Sequence, residues 1–246
     1  MNPEALLAIK NVTKRFGGLT AVNNVSLHVR KGEVLGIIGS NGSGKTTLIN
    51  MISGFLKPDQ GTIELEGEDI TGLPAHRVTA KGISRTFQML RPFYSVPACH
   101  NVTLALLSPR SKRIRHIRKS SLAEQIAMDL MELVGFDRSR DSFRPTRMLT
   151  PGYLRRLDIA RAIASEPLLL LADEPFSELT STEATSVGPA LTKLNSLGTT
   201  IVLIEHRLQY IWKMVHRVIV MHQGEILAEG PPEEIVHHEK LKAYYE

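Results

Sequence analysis

Cysteine is almost missing from this chain. Cys99 is the only one in 246 residues, which excludes an internal disulfide and any cysteine-based metal cluster and points to a reducing compartment. Long apolar runs are missing too. No stretch approaches the roughly 20 apolar residues that span a bilayer, and the opening MNPEALLAIK has no basic leader followed by an apolar core, so neither a membrane helix nor a signal peptide is expected. Charge of one sign is scarce: 30 Lys and Arg against 25 Asp and Glu leave +5. That excess suits an acidic ligand or a membrane surface and is too small to imply nucleic acid. There is no internal repeat and no low-complexity tract. The histidines His28, His76, His100 and His222 lack metal-ligand spacing, and His237-His238 is too short a run to argue for zinc. What remains is an ordinary globular composition, long enough for one substantial domain or a core with an inserted sub-domain.

Strand and helix signals alternate along the chain. Leu6–Phe16 and Val25–Val29 read as strands with a Gly17-Gly18 turn between them. Val34–Ile38 is a short apolar run that ends in a glycine-rich loop, and Lys45–Ser53 follows as a helix; Thr62–Leu65 is another strand between turns. From about Arg91 to Ala164 the pattern is helical, and Leu122, Ile126, Leu130 and Leu133 are expected on one face. Leu168–Ala172 and Thr200–Ile204 read as strands covered on both faces, because they are continuously apolar. The expectation is α/β: a doubly wound core, residues 1–90 and 165–246, interrupted by a helical insert over 91–164. Within that insert Arg110, Lys112, Arg113, Arg115, Arg118 and Lys119 form a basic patch, either a solvated surface or a contact for lipid headgroups or a membrane partner.

Two segments carry chemistry. GSNGSGKT, Gly39–Thr46, fits G-x-x-x-x-G-K-S/T between an apolar strand and a helix. Its glycines let successive backbone N–H groups of Gly39, Ser40, Asn41, Gly42, Ser43 and Gly44 curl around phosphate oxygens, and the helix N-terminus adds partial positive charge. Lys45 can reach the β- and γ-phosphates, and the Thr46 hydroxyl, with Thr47 beside it, can meet Mg2+. LLLLADEP, Leu168–Pro175, is an apolar strand ending in two carboxylates at the edge where α/β proteins bind ligands. Asp173 suits Mg2+, and Glu174 suits a base that polarises water for attack on the γ-phosphate.

These residues resemble the ABC (ATP-binding cassette) ATPases over nearly the whole chain. The resemblance implies a P-loop NTPase, RecA-like core with an N-terminal antiparallel β subdomain and an inserted α-helical subdomain, and ATP and Mg2+ as ligands. It implies that Phe16 stacks on adenine, that Gln88 in ISRTFQ senses Mg2+ and the attacking water, and that His206 in TIVLIEHRL contacts the γ-phosphate. It makes Leu149–Pro167 the signature region, with Thr150 and Gly152 presented to nucleotide on a second ABC subunit. RTFQ, YLRRLDIARA and GEILAEGPPEEI look most like the ATP-binding subunits of branched-chain amino-acid importers. That implies integral membrane permease subunits as partners, no nucleic acid, and a peripheral place on the cytoplasmic face of the cell membrane. The lipopolysaccharide-export ATPase is a near relative and leaves a lipid exporter open. A soluble ABC ATPase of repair or translation usually carries a second cassette or long coiled coil, and a non-hydrolysing regulator should have lost Lys45, Glu174 or His206.

The departures fall on the half offered to a partner. The signature usually reads L-S-G-G-Q, or L-S-Y-G-Q in the importers; here it is Leu149-Thr150-Pro151-Gly152-Tyr153. Thr150 is expected to cap the helix with its hydroxyl and Pro151 to open it, while Pro151 has no N–H for phosphate and Tyr153 loses a capping-box amide. After Glu174 the usual small-Gly-Leu-Asp/Asn is Ser177-Glu178-Leu179-Thr180.

Overall fold

The alternation in β1 (Ala5–Phe16) and β2 (Leu19–Arg30) is enough to make them an antiparallel pair around Gly17-Gly18. Leu7, Ile9 and Val12 are buried, yet Ile9 and Val12 are an odd number of residues apart. The register slips between them, at Asn11 and Asn24, which hold φ of 52° and 50°. Their side chains bond to one another, Nδ2 to Oδ1 at 2.9 Å. This bulge returns the apolar side chains to the covered face. β4 (Gln60–Leu65) pairs with the other edge of β1, Ile9 opposite Ile63, and β5 (Glu68–Asp69) completes the order β2-β1-β4-β5. β2 begins earlier than the run Val25–Val29 suggests because backbone pairing with β1 continues through Val22, Thr20 and Leu19.

The same compact unit, Met1–Lys81 with Thr200–Glu246, holds a second set of strands. β3 (Val34–Ile38) lies between β8 (Thr200–Ile204) and β9 (Arg217–His222), parallel to both, and β10 (Glu225–Gly230) folds back antiparallel on β9. β3 and β8 are buried at all five positions, as their unbroken apolar runs require. α1 (Lys45–Ile52) follows β3 and buries Leu48, Ile49, Met51 and Ile52. The short helices α2 (Ala75–Lys81) and α7 (Pro232–Val236) complete the unit.

The other compact unit is Gly82–Thr199. Here β6 (Ile83–Thr86) runs parallel to β7 (Leu169–Asp173), Ile83 opposite Leu169. Among the described residues four α-helices accompany them: α3 (Ala98–Leu106), α4 (Ser120–Leu133), α5 (Pro151–Ala164) and α6 (Ser181–Ser196). The buried face of α4 only partly coincides with the leucine face. Leu130 is buried and Ile126 and Leu133 are half-buried, but Leu122 is exposed, and Ala123, Ala127 and Met131 take the other buried places, with Val134 just past the helix end. The small alanines let α3 and α5 approach closely, and the bulkier leucine is turned outward. Cys99 on α3 is fully buried, and burial, with the Glu124 carboxylate nearby, pushes its thiol up to about 11.

The computed structural model describes residues 5–108, 120–177, 179–206 and 211–236. The basic patch Arg110–Lys119, Glu178 and His237-His238 lie outside the described residues. Among those described, no helix is long and apolar enough to cross a membrane.

Candidate active site

The phosphate loop joins β3 to α1. Two of its glycines have no substitute. A Cβ on Gly39 would stand 2.3 Å from the Met221 carbonyl oxygen, and one on Gly44, at φ 101°, would stand 2.4 Å from that of Ala21. Gly44 is the N-cap of α1, so the strained residue sits where the chain turns from loop to helix. Lys45 is buried, and its ammonium reaches back across the loop to donate to the Gly39 and Ser40 carbonyls at 2.8 and 2.9 Å. The Ser43 hydroxyl lies at 3.4 Å. Thr46 is exposed on the first turn of α1 and Thr47 is half-buried.

In the same unit, His206 follows β8 with its side chain half-exposed. The preceding Glu205 is fully buried and accepts from the His206 backbone N–H at 3.2 Å. A buried carboxylate thus fixes the main chain that presents the imidazole, a residue that nothing in the local sequence pattern singled out. Phe16 stands at the end of β1, about half exposed, with the Lys14 ammonium 5.7 Å from its ring centre.

In the second unit, β6 and β7 bring three of the expected residues together. Gln88, just past β6, donates from Nε2 to Glu174 Oε2 at 2.9 Å. Glu174 itself holds φ 45°, a left-handed backbone that costs a non-glycine residue about 1–2 kcal/mol and that clusters at functional positions. Asp173 ends β7 and is paired with Arg85 of β6 at 2.7 Å, the side chains only 5% and 8% exposed. The Asp173 backbone N–H also donates to Thr86 Oγ1 at 3.3 Å. The sequence reading missed Arg85, although it lies two residues before Phe87 in the ISRTFQ segment.

The signature helix starts where expected, with Thr150 at the N-cap and Pro151 at the first helical position. The expected cap is corrected: the Thr150 hydroxyl makes no cap bond to the helix. Glu183 of α6 accepts the Gly152 N–H instead, at 3.1 Å. The same carboxylate accepts from the Thr180 N–H and completes a capping box at the start of α6. Thr180 therefore does the capping that an Asp or Asn does at that position. These bonds, first the one from the Thr180 N–H and then the one from Gly152, hold the Glu183 carboxyl below its ordinary value. Tyr153 packs edge-on to Phe136 at 5.1 Å and under the Arg156 guanidinium at 4.1 Å. The tyrosine trades a capping amide for a cation–π stack within the helical unit.

The Thr46 hydroxyl in one unit, and the Gln88 amide oxygen and Asp173 carboxylate in the other, each offer oxygen, the donor type that Mg2+ demands. Mg2+ bound with nucleotide takes only one or two carboxylates and completes its shell with phosphates and water.

Comparison with known proteins decides the family. The family model for ABC transporters matches residues 22–177. The chain belongs to the ABC transporter family. This cassette is 36% identical to the high-affinity branched-chain amino acid transport ATP-binding protein BraF of Pseudomonas aeruginosa, over 97% of both chains. Its fold matches the ADP conformation of MJ1267, an ATP-binding cassette of an ABC transporter, with a TM-score of 0.87, 30% identity and 98% of both chains covered. It also matches the ADP- and phosphate-bound dimer of the cassette MJ0796, with a TM-score of 0.81, 28% identity, and 92% and 98% covered. The doubly wound P-loop fold, the ATPase activity and the role as a transporter's ATP-binding subunit follow from this membership.

Proposed function

We propose that this cassette powers import of branched-chain amino acids or related small solutes. It works as a peripheral subunit on the cytoplasmic face of the membrane, bound to integral permease subunits and paired with a second cassette. The observation that carries the reading is the likeness to BraF, which covers 97% of each chain. The exposed Phe87, Met89, Phe93 and Tyr94 around and after Gln88 support the permease contact. Four large apolar side chains in one short segment are more than isolated surface residues, and such patches mark interaction sites.

The proposed chemistry assigns each residue one task. The loop N–H groups of Gly39–Thr47 and the Lys45 ammonium hold the phosphates, the lysine exchanging the Gly39 and Ser40 carbonyls for β- and γ-phosphate oxygens. Phe16 stacks on adenine. Thr46, Gln88 and Asp173 would hold Mg2+, which would supply positive charge at the β- and γ-phosphates. Glu174 orients water and takes its proton as the water oxygen bonds to the γ-phosphorus. The bond from that phosphorus to the ADP oxygen breaks, and its electron pair leaves with ADP. Gln88, 2.9 Å from Glu174, orients the carboxylate toward the water. His206 contacts the γ-phosphate, and Thr150 and Gly152 face the γ-phosphate bound by the second cassette.

Glu174→Gln tests the reading in vesicles carrying the assembled transporter. The variant should still bind ATP, accumulate as an ATP-bound dimer, hydrolyse at least ~10²-fold more slowly and stop uptake of radiolabelled leucine, isoleucine and valine. Wild-type turnover overturns the role of Glu174. Lost turnover with undiminished amino-acid uptake overturns the import reading.

A further inference from the structure

The signature helix α5 carries a guanidinium that the assigned chemistry does not use. Arg155 is 2% exposed. Its Nη1 donates to the Phe87 carbonyl at 2.7 Å, and its Nη2 donates to the Gln88 carbonyl at 3.1 Å and to the Ser177 hydroxyl at 3.3 Å. One turn on, the Asp158 carboxylate accepts the Phe87 N–H at 3.3 Å. The peptide units on either side of Gln88 are thus gripped by one face of α5. Ser177, in turn, closes the turn after β7, its N–H donating to the Glu174 carbonyl at 3.0 Å.

These bonds form a closed circuit. From Arg155 it runs to the Gln88 backbone, through the Gln88 side chain to Glu174, through the turn to Ser177, and back to Arg155. We propose that Arg155 is a positioning residue for hydrolysis: it makes Gln88 and Glu174 move as one body with the signature helix. The chemistry of the side chain suits the task. A planar guanidinium presents its donors in a fixed fork and stays charged when buried, whereas a lysine ammonium is a single compact donor centre that cannot reach three acceptors spread over two segments. Any shift of α5 is thereby delivered to the water-polarising pair without a contact to nucleotide.

The inference rests on the proposed roles of Gln88 and Glu174, and its test separates the two. Arg155→Lys, Gln88→Ala and the double variant are compared in the assembled transporter by ATPase kinetics, with Glu174→Gln alongside. Arg155→Lys should keep KM for ATP within about twofold and lower kcat roughly ten- to hundredfold, the range for losing charged hydrogen bonds. In the Gln88→Ala background it should cost nothing further, because its effect passes through Gln88. A merely structural arginine would multiply the two losses. Multiplicative losses, or wild-type kcat in Arg155→Lys, overturn the inference. If Arg155→Lys does not fold, Ser177→Ala, which opens the same circuit by one hydroxyl, decides: non-additivity with Gln88→Ala supports it and additivity refutes it. Full turnover in Glu174→Gln would instead remove the functional reading beneath it.

Discussion

Replacing Arg85 by methionine strands the Asp173 carboxylate. The pair is nearly buried, 5% and 8% exposed at 2.7 Å, so solvent screens it weakly. Removing one partner of such a pair costs about 3–5 kcal/mol, mostly the penalty of an uncompensated buried charge. Methionine keeps much of the packing that the guanidinium makes over the Phe87 ring at 5.1 Å, so the loss should be electrostatic in origin. At about 2–4 °C per kcal/mol for a chain of this size, the melting temperature should fall by roughly 6–20 °C. The double variant Arg85→Met with Asp173→Asn carries no stranded charge and should regain at least half of that loss. Urea and thermal denaturation of the two variants beside the wild type measure both numbers. A loss under about 1 kcal/mol, the worth of an exposed pair, or a double variant no more stable than the single, would refute the argument that a buried ion pair holds β6 to β7 at the catalytic edge.

Two further expectations follow from the phosphate loop and the signature helix. Lys45→Ala should weaken ATP binding by at least tenfold in calorimetry, since a charge-assisted contact of about 1.5–3 kcal/mol is lost; equal affinity would remove the loop's assigned role. Glu183→Gln should destabilise the protein at neutral pH, because two helix starts share that carboxylate. The carboxyl is held below its ordinary value of 4.5, so its contribution is present above that pH and is lost as pH falls through the lower folded-state value. Denaturation of wild type and variant should therefore differ at pH 7 and converge in acid; a gap that stays constant down to pH 3 would contradict the capping role.

Legibility in the sequence followed the span of the interaction. Gly39–Thr46 was readable because the chemistry is contiguous: strand, glycine turn, lysine and helix occupy one stretch. Val34–Ile38 and Thr200–Ile204 were assigned to the residue, since strands buried on both faces write an unbroken apolar run. The face of α4 was legible only in part: Leu130 is buried and Leu122 is exposed, because leucine is the stronger apolar signal while close helix packing selects alanine at Ala123 and Ala127. Arg85, Glu183 and Arg155 could not be found by pattern. Their partners lie 88, 31 and 68 positions away, and an arginine or glutamate that makes a long-range bond looks the same in a sequence as one on a solvated surface.

The placement of Cys99 makes the molecule a convenient subject for site-directed probes. It is enclosed on α3, and its thiol is pushed up to about 11. At pH 7 the thiol form therefore dominates, and the thiolate that reacts with maleimides and iodoacetamides is scarce. The natural chain is thus close to unreactive toward these reagents while folded. A cysteine introduced at exposed Met89 or Phe93 can be labelled or cross-linked in the wild-type background. Labelling of Cys99 itself then reports unfolding of the helical unit, a built-in check that each labelled variant kept its structure.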